Sequence, residues 1–198
     1  MWESKGDQSL RSLLDIRSGA VWEDDHFEAW YTKKGRDLDR FRCELKAYQN
    51  LHDFGVCDRG FVPSFYGYVD RLDPSAFGPL LRNFSKDKFR PRAILLEYLP
   101  DAERLNCVNY SRDLVRSAVQ GLQEVHNAFV HHRDIYPKNM LVSGGRIIWV
   151  DFDVATTFAN NGPREMAYCD YEIELVKSFG ELLDEDQREG LPPNTKYY

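Results

Sequence analysis

The stretch VHHRDIYPKNMLVSGGRIIWVDFDVA, residues 130–155, decides how the rest of the chain is read. It holds a polar turn, RDIYPKN (133–139), and then two short apolar runs, MLV (140–142) and RIIWV (146–150), separated by SGG (143–145). Apolar runs separated by a short small-residue break read as a β-hairpin. Before the turn lies SRDLVRSAVQGLQEVHNAFVHH (111–132), where Leu114, Ala118, Leu122 and Val125 recur at helical spacing and place an apolar stripe on one long helix, with Ser111 as its cap. After the hairpin a final helix is expected over about 171–186, followed by an irregular tail in which two adjacent prolines stop helix hydrogen bonding.

Upstream, FEAWYTKKG (27–35) suits a strand, and DLDRFRCELKAYQNL (37–51) is an amphipathic helix. The helix carries Leu38, Phe41, Leu45, Tyr48 and Leu51 on one face, with Asp37 or Asp39 as cap. FVPSFYGYV (61–69) and AILLEYL (93–99) read as strands, the second buried. Between them RNFSKDKFRPR (82–92) is basic with Phe84 and Phe89 interleaved; it reads as a solvated insertion more readily than as a nucleic-acid surface. The predicted class is α+β, with a strand-rich part holding one helix followed by a mainly helical part.

Composition narrows the function. The 198 residues suit one domain or two small lobes, and a hydrophobic fraction of 42% is enough to build a core. The formal net charge of −6 argues against a general nucleic-acid binder, which needs a basic face. No apolar run is long enough to span a bilayer, and MWESKGDQSL is too polar for a secretory signal, so the expected location is intracellular and cytoplasmic. Cys43, Cys57, Cys107 and Cys169 form no CxxC pair, which leaves them as buried or idle thiols. Trp2, Trp22, Trp30 and Trp149 are expected in packing.

Within 130–155 the order His132, Arg133, Asp134, Asn139, then Asp151, Phe152 and Asp153 has the spacing of H-R-D-x-x-x-x-N followed by a metal-binding loop. On these residues the chain resembles the protein-kinase-like superfamily, and especially small fungal kinase-like proteins with HRDIYPxN and DFD loops. The resemblance runs from about residue 17 to 155. It implies a truncated bilobal protein-kinase-like fold spanning 1–198 as one domain, with an amino-terminal lobe over about 8–97 and a reduced carboxyl-terminal lobe over 98–198.

The implied activity is ATP- and Mg²⁺-dependent transfer of the γ-phosphate to a hydroxyl of a protein or small molecule. By resemblance, Asp134 orients the attacking hydroxyl, while Asn139 and Asp151 offer hard oxygen ligands to Mg²⁺. Glu44 in FRCELKAYQNL takes the ion-pairing role, and Lys33, preferred over Lys34, reaches the α- and β-phosphates. Glu97, Tyr98 and Leu99 fall at the hinge where the adenine edge meets backbone. His132 is read as a buried loop anchor, and Asp170 is expected to begin the helix that supports the catalytic loop.

The sequence also departs from the family. Tyr136 stands where serine/threonine kinases carry Lys, whereas Lys138 matches the place of Arg in many tyrosine kinases and supplies a cation to the transferring phosphate. Asp153 replaces the usual Gly of the metal loop and removes easy access to positive φ. No GxGxxG precedes the lysine strand, with Ser18 and Gly19 the one candidate turn, and no A-P-E follows Asp153. These departures favour a small-molecule acceptor. They also keep open a pseudokinase that binds nucleotide or partners, and a fragment of a kinase.

Overall fold

Helix α1, Arg40–Asp53, is the first element of the computed structural model, which describes residues 39–193. The strand expected over 27–35, with Lys33 and Lys34, lies outside the described residues, as do Ser18, Gly19, Trp2, Trp22 and Trp30. Asp39 caps α1 by accepting from Arg42 N at 3.1 Å, and the inward face carries Cys43, Glu44, Ala47, Tyr48 and Leu51.

Strands β1 (Phe65–Val69) and β2 (Ala93–Leu96) pair antiparallel with a bulge between Phe65 and Gly67. The expected strands over 61–69 and 93–99 are thus shortened. The insertion between them winds through the 3₁₀ stretch Pro74–Phe84. It closes on a small cluster of Leu72, Leu81 and Ala93, against which Phe84 and Val69 pack. Phe84 is therefore half-buried, and of the two interleaved rings only Phe89 is exposed, with Lys88 Nζ 5.1 Å from its centroid.

Strand β3 (Glu103–Arg104) leads to helix α2, Arg112–Asn127, capped as expected by Ser111, whose Oγ accepts from Leu114 N. The helix stops at Asn127 rather than running to residue 132. Phe129 takes a φ of 60°, and the chain leaves the helix to form β4, Val130–His131, which pairs with β7, Thr156–Thr157. That reversal places His131 and His132 at the entrance to the polar loop.

The hairpin is as predicted. β5 (Met140–Ser143) and β6 (Arg146–Trp149) pair from Met140↔Trp149 to Ser143↔Arg146. Gly144 and Gly145 form the two-residue turn with φ of 58° and 77°, values that suit glycine and match strand twist. Two bonds seat the hairpin on α2: Ile147 N donates to Ser117 Oγ, and the buried Trp149 Nε1 donates to Ala118 O, each at 3.0 Å.

Helix α3, Pro163–Arg188, begins at Pro163 rather than near Tyr171. Proline at the first helical position has a compatible φ and loses no helical hydrogen bond. Its buried stripe is Glu172, Val176, Gly180 and Leu183. At Gly180 a β-carbon would come within 2.9 Å of Val115 Cγ1, so a missing side chain sets the approach of α3 to α2. One apolar cluster joins Tyr48 and Leu51 of α1, Leu122 and Val125 of α2, Ile147 and Trp149 of β6, and Val176 and Leu183 of α3. Cys43, Cys57 and Cys107 are buried, and Cys169 is half-buried. Burial, with help from Glu172 and Asp170, pushes the Cys169 thiol up to about 11. Among the described residues, no helix is long and apolar enough to cross a membrane.

Candidate active site

The β5–β6 register builds the centre of the site. Because Met140 pairs with Trp149, the residues just outside the hairpin, Asn139 and Val150, also face each other, and Val150 N donates to Asn139 O at 3.0 Å. Asp151 follows immediately, so Asn139 and Asp151 are brought side by side although 12 residues apart in sequence. Asp151 has a φ of 70°, an uncommon conformation for a residue with a side chain, and is followed by the buried Phe152 and Asp153.

Asp134 sits on the other side of Asn139. The buried Asn139 donates through Nδ2 to both Asp134 O and Asp134 Oδ2 at 2.9 Å, and Lys138 Nζ pairs with the same Oδ2 at 2.9 Å. Among the described residues Asp134 Oδ1 receives no hydrogen bond. Partial burial pushes the Asp134 carboxyl up, but the bonds from Lys138 and Asn139 outweigh it and hold the group below the usual carboxylate range. It is a carboxylate at neutral pH with one oxygen fixed and the other able to accept. Orientation of Asn139 through Nδ2 leaves its Oδ1 as a hard oxygen that could hold a metal together with Asp151.

Two anchors hold this loop. His132 is fully buried between Trp149 and Phe152, with ring centroids 5.2 and 4.6 Å away. Its Nε2 lies 3.0 Å from Val150 O, which can only accept, so Nε2 carries the proton; Nδ1 then accepts from Asp134 N at 3.4 Å. Burial lowers its pKa and keeps the ring neutral, as that bonding requires. The ring thus ties Val150, just before Asp151, to the backbone of Asp134.

The second anchor was invisible to sequence reasoning. Glu172 of α3 is buried, and its oxygens accept from His126 Nε2 at 2.8 Å, from the N–H of His132 at 3.1 Å and from the N–H of Arg133. His131 Nε2 lies 3.2 Å from Oε1, within charge-pairing range but off the hydrogen-bond direction. Burial raises the Glu172 pKa, yet the His126 bond, the neighbouring His131 ring and the Arg133 N–H together hold it below the usual range. The clamp falls on Arg133, whose φ is 69°, the residue just before Asp134. Asp170, expected to begin the supporting helix, is instead exposed inside α3. The available signal was a carboxylate within the apolar stripe Glu172, Val176, Gly180, Leu183.

The remaining site residues fall on nearby elements. Glu44 is buried on the inner face of α1, not on a solvated one. Phe152 packs edge-on against Tyr48 of the same helix at 5.4 Å. Glu97 and Leu99 follow the end of β2; the Glu97 N–H donates to Ser64 O, and its carboxylate accepts from Ser64 N and Oγ. Among the described residues no cluster of three or more His, Cys, Asp and Glu side chains is arranged to hold a metal by itself. Two hard ligands suit Mg²⁺ that keeps its other positions for water and phosphate.

No family model matches the chain. Over 71 residues, 35% of this chain, it is 34% identical to SNF1-activating kinase 1 of Saccharomyces cerevisiae, covering 6% of that protein. Over 128 residues, 62% of this chain, it is 30% identical to the serine/threonine-protein kinase PknA of Corynebacterium glutamicum, covering 24% of it. The figures for drp72 of Corynebacterium efficiens, also a serine/threonine-protein kinase, are 29% over 127 residues and 22%. The chain thus spans less than a quarter of the length of each of these curated relatives. Among solved structures, WaaP in complex with acyl carrier protein aligns at a TM-score of 0.43 and 18% identity, over 76% of this chain and 66% of that one. The curated similarities support a protein-kinase-like relationship at the level of the superfamily, and the mixed α+β fold is consistent with it.

Proposed function

We propose that the chain is a kinase-type phosphotransferase that passes the γ-phosphate of ATP to a hydroxyl of a protein or small molecule. The nucleotide is placed between a strand-rich lobe, about residues 8–97, and a reduced helical lobe, 98–198, joined near Glu97, Tyr98 and Leu99. The observation that carries this reading is the Asp134 carboxylate, with Oδ2 fixed by Lys138 and Asn139 and Oδ1 left to accept. The acceptor hydroxyl donates to Oδ1, its oxygen forms the bond to the γ-phosphorus as the bond to ADP breaks, and the proton passes to Asp134. In a loose transition state the gain comes from aim more than from basicity, which suits a carboxylate of depressed pKa.

Lys138 is placed to offset charge on the transferring group. Asn139 Oδ1 and Asp151 would hold Mg²⁺, which when bound neutralises the triphosphate. Glu44, buried on α1, is assigned to orient the phosphate-binding lysine, Lys33 in preference to Lys34.

The test is a thermal-melt titration with ATP, with and without Mg²⁺, beside Asp151→Asn. Saturation near 100 times Kd should raise the melt by about 5–10 °C with Mg²⁺ only, and the variant should lose the rise. No Mg²⁺-dependent rise at millimolar ATP sinks the proposal. A pseudokinase is the second reading, favoured by Asp153 in place of glycine and by the lack of GxGxxG. Full cellular function in an Asp134→Asn, Asp151→Asn double variant would establish it.

A further inference from the structure

Helix α1 is joined to the metal loop by an ion pair that the proposed chemistry does not use. Arg40, the first residue of α1, donates through Nη1 to Asp153 Oδ2 at 3.0 Å, across 113 residues of sequence. The two partners differ sharply in exposure: the Asp153 side chain is 6% exposed and that of Arg40 67%. A carboxylate held out of water needs counter-charge, and Arg40 of the helix supplies one such partner.

Position gives this pair its meaning. Arg40 stands one turn before the buried Glu44, and Asp153 two residues after Asp151. The pair therefore spans the two elements that carry the candidate ion-pairing and metal-binding groups. Two further contacts act on the same helix. Phe152 packs against Tyr48 about two turns along, and Arg92 pairs with the capping Asp39 at 3.2 Å while lying 4.3 Å from the Phe41 ring. Apolar packing at Phe152 permits sliding, whereas a guanidinium donating to a buried carboxylate fixes one register.

We propose that Arg40 and Asp153 are positioning residues, a resident clamp that sets α1, and Glu44 with it, against the Asp151 loop. The glycine expected at position 153 from the resemblance could not supply this carboxylate. In its effect on nucleotide binding the clamp rests on the phosphotransferase reading; in its effect on the two elements it does not.

The experiment compares the full chain with Arg40→Met, Arg40→Lys, Asp153→Asn and the Arg40→Met, Asp153→Asn double variant. Amide hydrogen exchange is followed over residues 40–47 and 151–155, and ATP affinity is measured with and without Mg²⁺. Arg40→Met should speed exchange in both segments by about five- to tenfold, with Arg40→Lys recovering much of it and the double variant no faster than the worse single one. ATP affinity with Mg²⁺ should fall by a similar factor, while affinity without Mg²⁺ changes less than about twofold. A merely structural pair would lower the melt and leave the ratio of the two affinities unchanged, and that result overturns the positioning role. Unchanged exchange in either segment, or additive single effects, overturns the clamp itself. Because Arg40 is exposed, its variants decide the matter even if Asp153→Asn does not fold. Should the parent chain show no Mg²⁺-dependent ATP binding, the phosphotransferase reading fails separately, and the exchange and additivity results still judge the clamp.

Discussion

A carboxylate shut away from water, as Glu172 is, must have each oxygen occupied, and here the occupants include two consecutive backbone N–H groups and His126. Glu172→Gln replaces an acceptor with a donor facing those groups. Its expected cost is about 2–4 kcal/mol in a denaturant melt, because a broken buried charge network leaves unpaired partners. A loss below about 0.5 kcal/mol would show that the loop stands without this anchor. Asp134, Asn139 and Asp151 were legible in the sequence since they lie within one local loop and hairpin. Glu172 was not, because a carboxylate becomes a buried anchor only when a helix 40 residues further on packs against that loop.

At the scale of elements, the approach of α3 to α2 depends on Gly180. Gly180→Ala would press a methyl into Val115 and should cost about 1–3 kcal/mol, although alanine is the better helix former. An unchanged or raised melting temperature would mean that α3 shifts freely. The cap of α2 gives a second check: Ser111→Ala removes the acceptor of the Leu114 N–H and should cost about 1 kcal/mol by the same melt. Helix cores and the hairpin followed from periodicity and turn residues. Their ends did not, since α2 is stopped by the pairing of Val130 and His131 with Thr157 and Thr156, and α3 starts early at a proline that periodicity passes over.

For the whole molecule, the buried ionisable groups set how stability varies with pH. Burial lowers the pKa of His131 and His132, so as pH falls through about 6.5 the unfolded chain takes up protons that the fold resists. The melting temperature should be level near pH 7–8 and decline below about 6.5. Glu172 and Asp134 are depressed instead, so their contribution is present above about pH 4.5 and disappears as pH falls through their folded values. A second, steeper loss should follow there. A flat melting profile between pH 7 and 5 would contradict the buried neutral histidines.

By itself the sequence determined the α+β class, the helix, loop and hairpin order, and the loop that bears Asp134, Asn139 and Asp151, because these depend on contacts between near neighbours. Tertiary structure alone decided that Glu172 rather than Asp170 faces that loop, that Glu44 is buried and that Phe84 turns inward. It also decided that Arg40 meets Asp153. Such facts depend on which face of one element meets another, and residue spacing within a single element does not encode that.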